Sequence, residues 1–341
     1  MKIRELFEEK IFEIATPPLK FKGSVIISND GVKSLKDRNL PNKITGSFDC
    51  SQNSLKNLEG SPEEINGNFN CSNNKNLTSL KGMPQIGIKE LKANECNLKT
   101  LEGSPQRIKG DFNCLDNKKL KSLNGMPQIG VEGVFADGCD FTSLEGAPKK
   151  IKGTFAVSEN HNLTSLKGMP QIGVTDIYCA NCNIISLEGV PSKISGELYC
   201  SDNMNLSSLK GCPKEVKNLF IDNCNITSLE GAPKKIRNIL ALNGNPIKSL
   251  KGIHKIIEEI EDLILPHSIE SNILGILKIR KLRKVSFKSF GSSANVSDRD
   301  AQQKDQISKI INKYLPNPTM DQIIDCQNEL IEAGFEEYAE L

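Results

Sequence analysis

A chain of 341 residues with 44 basic and 42 acidic side chains has a formal net charge of only +2. That balance gives no global attraction to nucleic acid or to an anionic membrane surface. Hydrophobic residues make up 37%, with no Trp and 4 Tyr, which is lean for one large globular core. No run approaches the roughly 18 consecutive apolar residues of a membrane span, so no membrane partner is expected.

The first predicted element covers residues 1–22. MKIRELFEEKIFEIATPP mixes acidic with apolar residues and lacks a continuous apolar stretch. It is expected to be an amphipathic cap, not a secretion signal. A cytoplasmic protein is the expectation, so the eleven Cys need a role other than disulfide bonding.

Internal repetition organises residues 23–290. The string Leu-x-Gly-x-Pro recurs at Leu58, Leu80, Leu101, Leu123, Leu144, Leu166, Leu187, Leu209 and Leu229. Successive spacings alternate between 22 and 21 residues, ending with 20. Leu250 continues the series with His254 in the proline position, and Leu35 is a divergent first member. Ahead of each leucine stands a second pattern, seen in Phe48, Cys50, Asn53 and Leu55. A longer period is superimposed: GMPQIG begins at Gly82, Gly125 and Gly168, 43 residues apart. The turn position alternates as Asn74, Cys96, Asn117, Cys139, Asn160, Cys182, Asn203, Cys224 and Asn245. One extra residue follows Asn74, Asn117, Asn160 and Asn203, so the repeating unit is a pair of repeats.

These residues resemble the leucine-rich repeat family, over roughly residues 24–290. The resemblance implies an α/β-type repeat solenoid: a horseshoe with a parallel concave sheet, a mostly irregular convex side and helical caps. Alternation along a strand then points Phe48 and Cys50 inward, with Phe69, Cys71, Phe112 and Cys114. Cys179 and Cys200 share that inward position, whereas Cys96, Cys139, Cys182 and Cys224 take the turn. Nine of the eleven cysteines are thereby explained as packing residues. Cys179-Ala-Asn-Cys182 falls within this register, and two thiols are half a zinc site. His161, His254 and His267 are scattered. No metal and no cofactor are expected.

After Leu250 the repeat continues in altered form through Leu263 and Val285, with a short helix in SIESNILGILKIRK. Residues 291–302 form a polar stretch expected to be a mobile loop. Residues 303–341 are expected to be a C-terminal helical cap, DQISKIINKYL followed by a helix whose capping box is Thr319 with Gln322.

What remains is the outward face of the sheet. Phe135, Tyr178, Tyr199 and Phe220 fall between the inward residues of successive strands, interrupted at Ala156. Around them lie Asp137, Asp176, Glu197 and Asp222, with Asp111, Asp116, Glu159 and Asp202. Exposed aromatics rimmed by charge have the composition of a binding hot spot. The expected function is therefore non-enzymatic: a protein–protein interaction module with a basic or amphipathic protein partner. No acid–base pair or nucleophile set stands out from the repeat pattern.

The short repeats also resemble those of leucine-rich repeat proteins from bacteria and tailed phages. That resemblance implies a factor that binds and sequesters a host protein in the host cytoplasm. The alternative is a structural or scaffold component of a phage particle. Leu6-Phe-Glu8 and Ile11-Phe-Glu13 resemble the cleavage signals of phage head proteins, which suits a phage origin, and a virion location goes with the scaffold alternative. A nucleic-acid partner would rest only on the basic run from Lys278 to Lys284 and ranks third.

Overall fold

The computed structural model describes residues 20–287 and 297–340. Segment 1–19, which holds most of the expected N-terminal cap, lies outside the described residues, as does 288–296. The chain is a solenoid of leucine-rich-repeat type, each coil contributing one short strand to a parallel ladder. It divides into two compact units. The first ends at Leu163 and takes in Lys167–Val174; the second comprises Thr164–Leu166 and everything from Thr175 onward.

In the first unit the strands are two residues each: Val25–Ile26, Phe48–Asp49, Phe69–Asn70, Leu91–Lys92, Phe112–Asn113, Val134–Phe135 and Phe155–Ala156. Neighbours pair in parallel and in strict register, Phe48 beside Phe69, Phe69 beside Leu91 and Leu91 beside Phe112. Equivalent residues therefore stack into columns. Phe48 and Phe69 are fully buried with ring centroids 5.7 Å apart. Cys50, Cys71, Cys114, Leu58, Leu80 and Leu101 fill the adjoining columns at 0% exposure. In the second unit the strands lengthen from Ile177–Tyr178 to Asp262–Leu265 and Lys284–Phe287, again parallel, with Leu198, Leu219, Leu240, Leu263 and Val285 in one column.

Two-residue strands leave much of each coil's backbone outside the ladder, and buried backbone polar groups must find partners. The turn asparagines supply them. Asn117 Nδ2 donates to Ala93 O of the preceding coil and to Cys114 O of its own, both at 2.9 Å. Its Oδ1 accepts the Leu98 N–H at 3.1 Å. Asn74, Asn160, Asn203 and Asn245 repeat this pattern on the Leu55, Phe141, Ile184 and Ile226 N–H groups.

The same bonds explain why repeat length and turn residue alternate together. A thiol can donate, as Cys96 Sγ does to Cys71 O at 3.3 Å, but it is a weak acceptor. A coil followed by a cysteine coil must therefore satisfy its leucine N–H locally. In those coils the extra residue closes a turn, Leu77 N–H donating to Asn74 O and Leu120 N–H to Asn117 O, each at 2.9 Å. The coil of Asn53 is the check: it precedes an asparagine coil, has no extra residue, and its Leu55 N–H bonds Asn74 Oδ1 at 3.0 Å. The extra residue thus answers to the next coil's turn residue and not to its own.

The hexapeptide GMPQIG is explained almost completely by inter-coil fit. Gly82 has φ +91°, and a Cβ there would lie 2.4 Å from Glu59 N. Gly87, Gly130 and Gly173 also have positive φ, and a Cβ there would lie within 2.1 Å of Ile65 O, Ile108 O or Ile151 O. Met83, Met126 and Met169 are buried. Gln85 Nε2 braces Met83 O and Gly103 O, and Gln128 does the same to Met126 O and Gly146 O.

All eleven cysteines are free. Nine occupy the two packed repeat positions and are buried, as is Cys326, while Cys212 is half-buried. Burial pushes the Cys326 thiol up to about 12, and it also raises Cys50, so neither yields thiolate at neutral pH. Protein prepared without reductant and denatured under a thiol block should yield eleven reactive thiols. Eight or fewer would show disulfides, and rapid labelling of most of them before unfolding would contradict their burial.

At the C-terminus a helix spans Asp298–Lys313, capped by the Ser297 side chain on Asp300 N. This corrects the expected loop over 291–302: Ser297 is an N-cap and Asp298 and Asp300 suit the positive helix start, so residues 298–302 are helical. A second helix, Met320–Glu332, begins with the Thr319–Gln322 capping box. Between Leu250 and Val285 the expected helix is a 3-10 turn, Leu274–Lys278, preceded by a four-residue α-helix at Ile253–Ile256.

Candidate functional site

The outward face of the second unit carries an aromatic cluster. Tyr178 and Tyr199 sit in register on adjacent strands, as do Tyr199 and Phe220. Ring centroids are 6.2 Å apart in the first pair and 5.4 Å in the second, with interplanar angles of 37° and 47°. Tilted rings at these separations attract through their quadrupoles. Tyr199 is 36% exposed, whereas Tyr178 and Phe220 are half-buried, so the cluster presents one open ring between two partly covered ones.

Glu197 anchors this cluster on one side. It accepts from Tyr178 Oη at 3.3 Å and from Asn218 Nδ2 at 2.8 Å. Burial, with Glu197 and Asp176 nearby, raises the Tyr178 phenol pKa, so the hydroxyl stays protonated and donating. Asp176 Oδ1 accepts the Glu197 N–H at 2.9 Å. On the other side Asp222 accepts from Asn243 N and Asn243 Nδ2, both at 2.8 Å. Burial holds the Asp222 carboxyl above the usual carboxylate range.

The first unit contains Phe135 and Asp137. The Phe135 ring folds over Gly133 of its own coil, where an added Cβ would meet it at 2.8 Å. Asp137 Oδ1 accepts the Ser158 N–H at 2.6 Å, and burial raises its pKa as at Asp222. Ala156, the expected gap in the aromatic row, is 5% exposed.

The structure thus gives the acidic residues a role that sequence reasoning missed. Short strands leave an N–H at each flank, and a side chain one coil earlier accepts it. Asp176, Asp137 and Asp222 do so, and Ser47, Asp111 and Asn218 do the same for Asn68, Gly133 and Ile239. The signal was the recurrence of Asp, Asn and Ser in columns at the strand ends. Asp116, Glu159 and Asp202 have φ between 57° and 60°. They occupy the left-handed residue just before each turn asparagine, a conformation that Asn and Asp tolerate better than most residues.

Among the described residues no group of three or more His, Cys, Asp or Glu side chains could hold a metal ion. Among them, too, no helix is long and apolar enough to cross a membrane. No family model matches the sequence, and no curated protein matches it. Among solved structures the chain is similar to YopM from Yersinia enterocolitica WA-314, at 15% identity and a TM-score of 0.35. The likeness covers 79% of this chain and 66% of that one. The assignment to a leucine-rich-repeat type of solenoid rests on the chain's own coils: one parallel strand, one turn asparagine or cysteine and one buried leucine column per repeat.

Proposed function

We propose that this protein is a non-enzymatic protein-binding module whose contact centre is the Tyr178–Tyr199–Phe220 cluster. The observation that supports it most is a partly open aromatic cluster on a face otherwise lined by carboxylates and amides. Side chains that pack the solenoid point inward, and the Tyr199 ring does not. Aromatic rings over a desolvatable patch are the side chains that concentrate binding energy at interfaces. Asp176, Glu197 and Asp222 surround the cluster, so the partner is a protein segment with basic or amphipathic character. Phe135 and Asp137, in the first unit, are proposed as contacts in their own right. By its resemblance to bacterial and phage leucine-rich repeat proteins, the module sequesters a host protein, and its free thiols suit a cytoplasmic setting.

The test is the double variant Tyr178→Ala, Tyr199→Ala. Neither ring is part of the core, so the melting temperature should change little. Affinity for a partner recovered by cross-linking from host lysate should fall by about 2 kcal/mol or more. Charge reversal at Asp222 is a poor substitute, since it removes inter-coil bonds to Asn243. If the tyrosine pair is neutral while changing Lys149, Lys150, Lys234 and Lys235 abolishes binding, the acidic face is the wrong surface.

A further inference from the structure

A second, shorter ladder runs a few residues ahead of the main strands. In the first unit it pairs Lys43 with Glu64, Glu64 with Ile86, Arg107 with Ile129 and Lys150 with Ile172. The side chains preceding the buried column of Ile44, Ile65, Ile108 and Ile151 point to solvent along this ladder. Its charge pairing changes along its length. At one end Lys43 and Glu64 form an ion pair at 2.5 Å. In the second unit Arg237 pairs with Glu215 at 2.8 Å, and Lys281 with Glu259 at 2.5 Å.

Between Ile86 and Ile172 the ladder positions themselves carry no ion pair among the described residues, and one beside them joins Lys152 to Glu132 at 3.3 Å. Arg107, Lys109, Lys149 and Lys150 are exposed and have no ion-pair partner among the described residues. The neighbouring ladder positions hold isoleucines: Ile86 at 60% exposure, Ile129 at 44% and Ile172 at 57%. These belong to the three copies of GMPQIG. The glycines, methionine and glutamine of that hexapeptide are accounted for by inter-coil fit. The isoleucine contributes backbone groups: its carbonyl accepts from Ile65 N, Ile108 N and Ile151 N, and the Ile129 and Ile172 N–H groups donate to Gln106 O and Lys149 O, which other residues could do as well. Nothing within the solenoid calls for its exposed side chain.

We propose that this ridge is a docking surface for an acidic amphipathic helix. Charge complementarity sets the sign, since uncompensated cations lie between the apolar side chains. Spacing sets the helix. Parallel strands lie just under 5 Å apart, so isoleucines two coils apart recur about every 10 Å. Seven residues of α-helix also rise about 10 Å. A helix with an apolar residue at every seventh position would place successive anchors on Ile86, Ile129 and Ile172. Its acidic residues midway between would meet Arg107 and Lys150. This ridge shares no residue with the aromatic cluster, and the inference does not depend on that cluster binding anything.

The probe is an alanine-rich helical peptide with leucine at every seventh position and glutamate midway between. The control has the same composition, with the leucines spread around the helix. Fluorescence anisotropy should show the in-register peptide binding the full-length protein at least tenfold tighter than the control. The triple variant Ile86→Ser, Ile129→Ser, Ile172→Ser should lose at least tenfold in affinity without a fall in melting temperature, because these side chains are exposed. Arg107→Glu with Lys150→Glu should lose a similar factor, and raised salt should weaken the wild-type complex. Equal binding of the two peptides, no binding of either, or indifference to the triple variant would each overturn the proposal. Isoleucine-dependent sedimentation with phosphatidylserine vesicles, in the absence of peptide binding, would overturn it in favour of a lipid surface.

Discussion

Asn117→Ala is expected to destabilise the first unit by about 2–6 kcal/mol, as much as a core truncation would. The substitution removes no large side chain. It orphans two buried backbone groups, Leu98 N–H and Ala93 C=O, and leaves Cys114 C=O with only the weak Cys139 thiol donor. Each orphaned buried group costs roughly 1–3 kcal/mol, and water has no path to a residue that is 0% exposed. Asn117→Cys separates the components. Its thiol should recover one carbonyl bond, as Cys96 and Cys139 do, but leave Leu98 N–H without an acceptor. Inserting one residue directly after Cys96 in that variant should then restore stability, because Leu98 N–H could close a turn on Cys96 O as Leu77 does on Asn74 O. Urea denaturation of the three proteins measures this. If Asn117→Cys is as stable as wild type, the link between turn residue and repeat length is wrong.

The register of the solenoid could be read from sequence because each coil repeats its grammar in one dimension. Every inward Phe, Cys and Leu column was placed correctly, since alternation along a strand leaves only two faces and one of them is uniformly apolar. The covariation of Asn with an extra residue was also visible, but its cause was not. That cause is a bond from one coil's leucine N–H to an amide in the next coil, and pattern reasoning within a repeat never compares those two positions. The same blindness applied to Asp137, Asp176 and Asp222. A carboxylate beside a short strand looks like free surface charge, yet each accepts an N–H one coil later. The aromatic cluster survived better, because Tyr178, Tyr199 and Phe220 share a register that alone places their rings together. Phe135 shared that register too, but the Gly133 beside it left room for its ring to fold back over its own coil.

Removing residues 297–341 should lower the melting temperature by roughly 10 °C or more and make the protein aggregate. The free edge of Lys284–Phe287 would otherwise be a row of unpaired backbone groups, which invites pairing between molecules. In the intact chain the Asp298–Lys313 helix covers it. Asn312 completes the edge as a strand would: its Nδ2 donates to Val285 O and its Oδ1 accepts Val285 N–H, each at 2.8 Å. Ile307 and Ile311 of that helix are 0% exposed. The chain end adds Tyr338 O on Ile273 N at 3.1 Å and Glu337 O on Asn272 N at 3.0 Å. One component of this interface works against it. Lys304 donates to Ile269 O and to Tyr338 Oη beneath the Phe287 and Tyr338 rings, and burial lowers its pKa from 10.5 to about 8. At Lys304 unfolding therefore takes up a proton between those values, a contribution to stability that grows as pH rises from 8 towards 10. The buried cysteines act the other way over that range, because their raised pKa values let only the unfolded chain form thiolate. Lys304→Met should leave the Tyr338 hydroxyl donating to Ile269 O and remove the lysine contribution, so its stability should fall more steeply with pH than that of the full chain. Thermal melts at pH 7 and pH 9.5 compare the three proteins. A truncated protein as stable and as soluble as the full chain would show that these helices are an appendage, and an equal pH dependence in the full chain and in Lys304→Met would place the titrating group elsewhere.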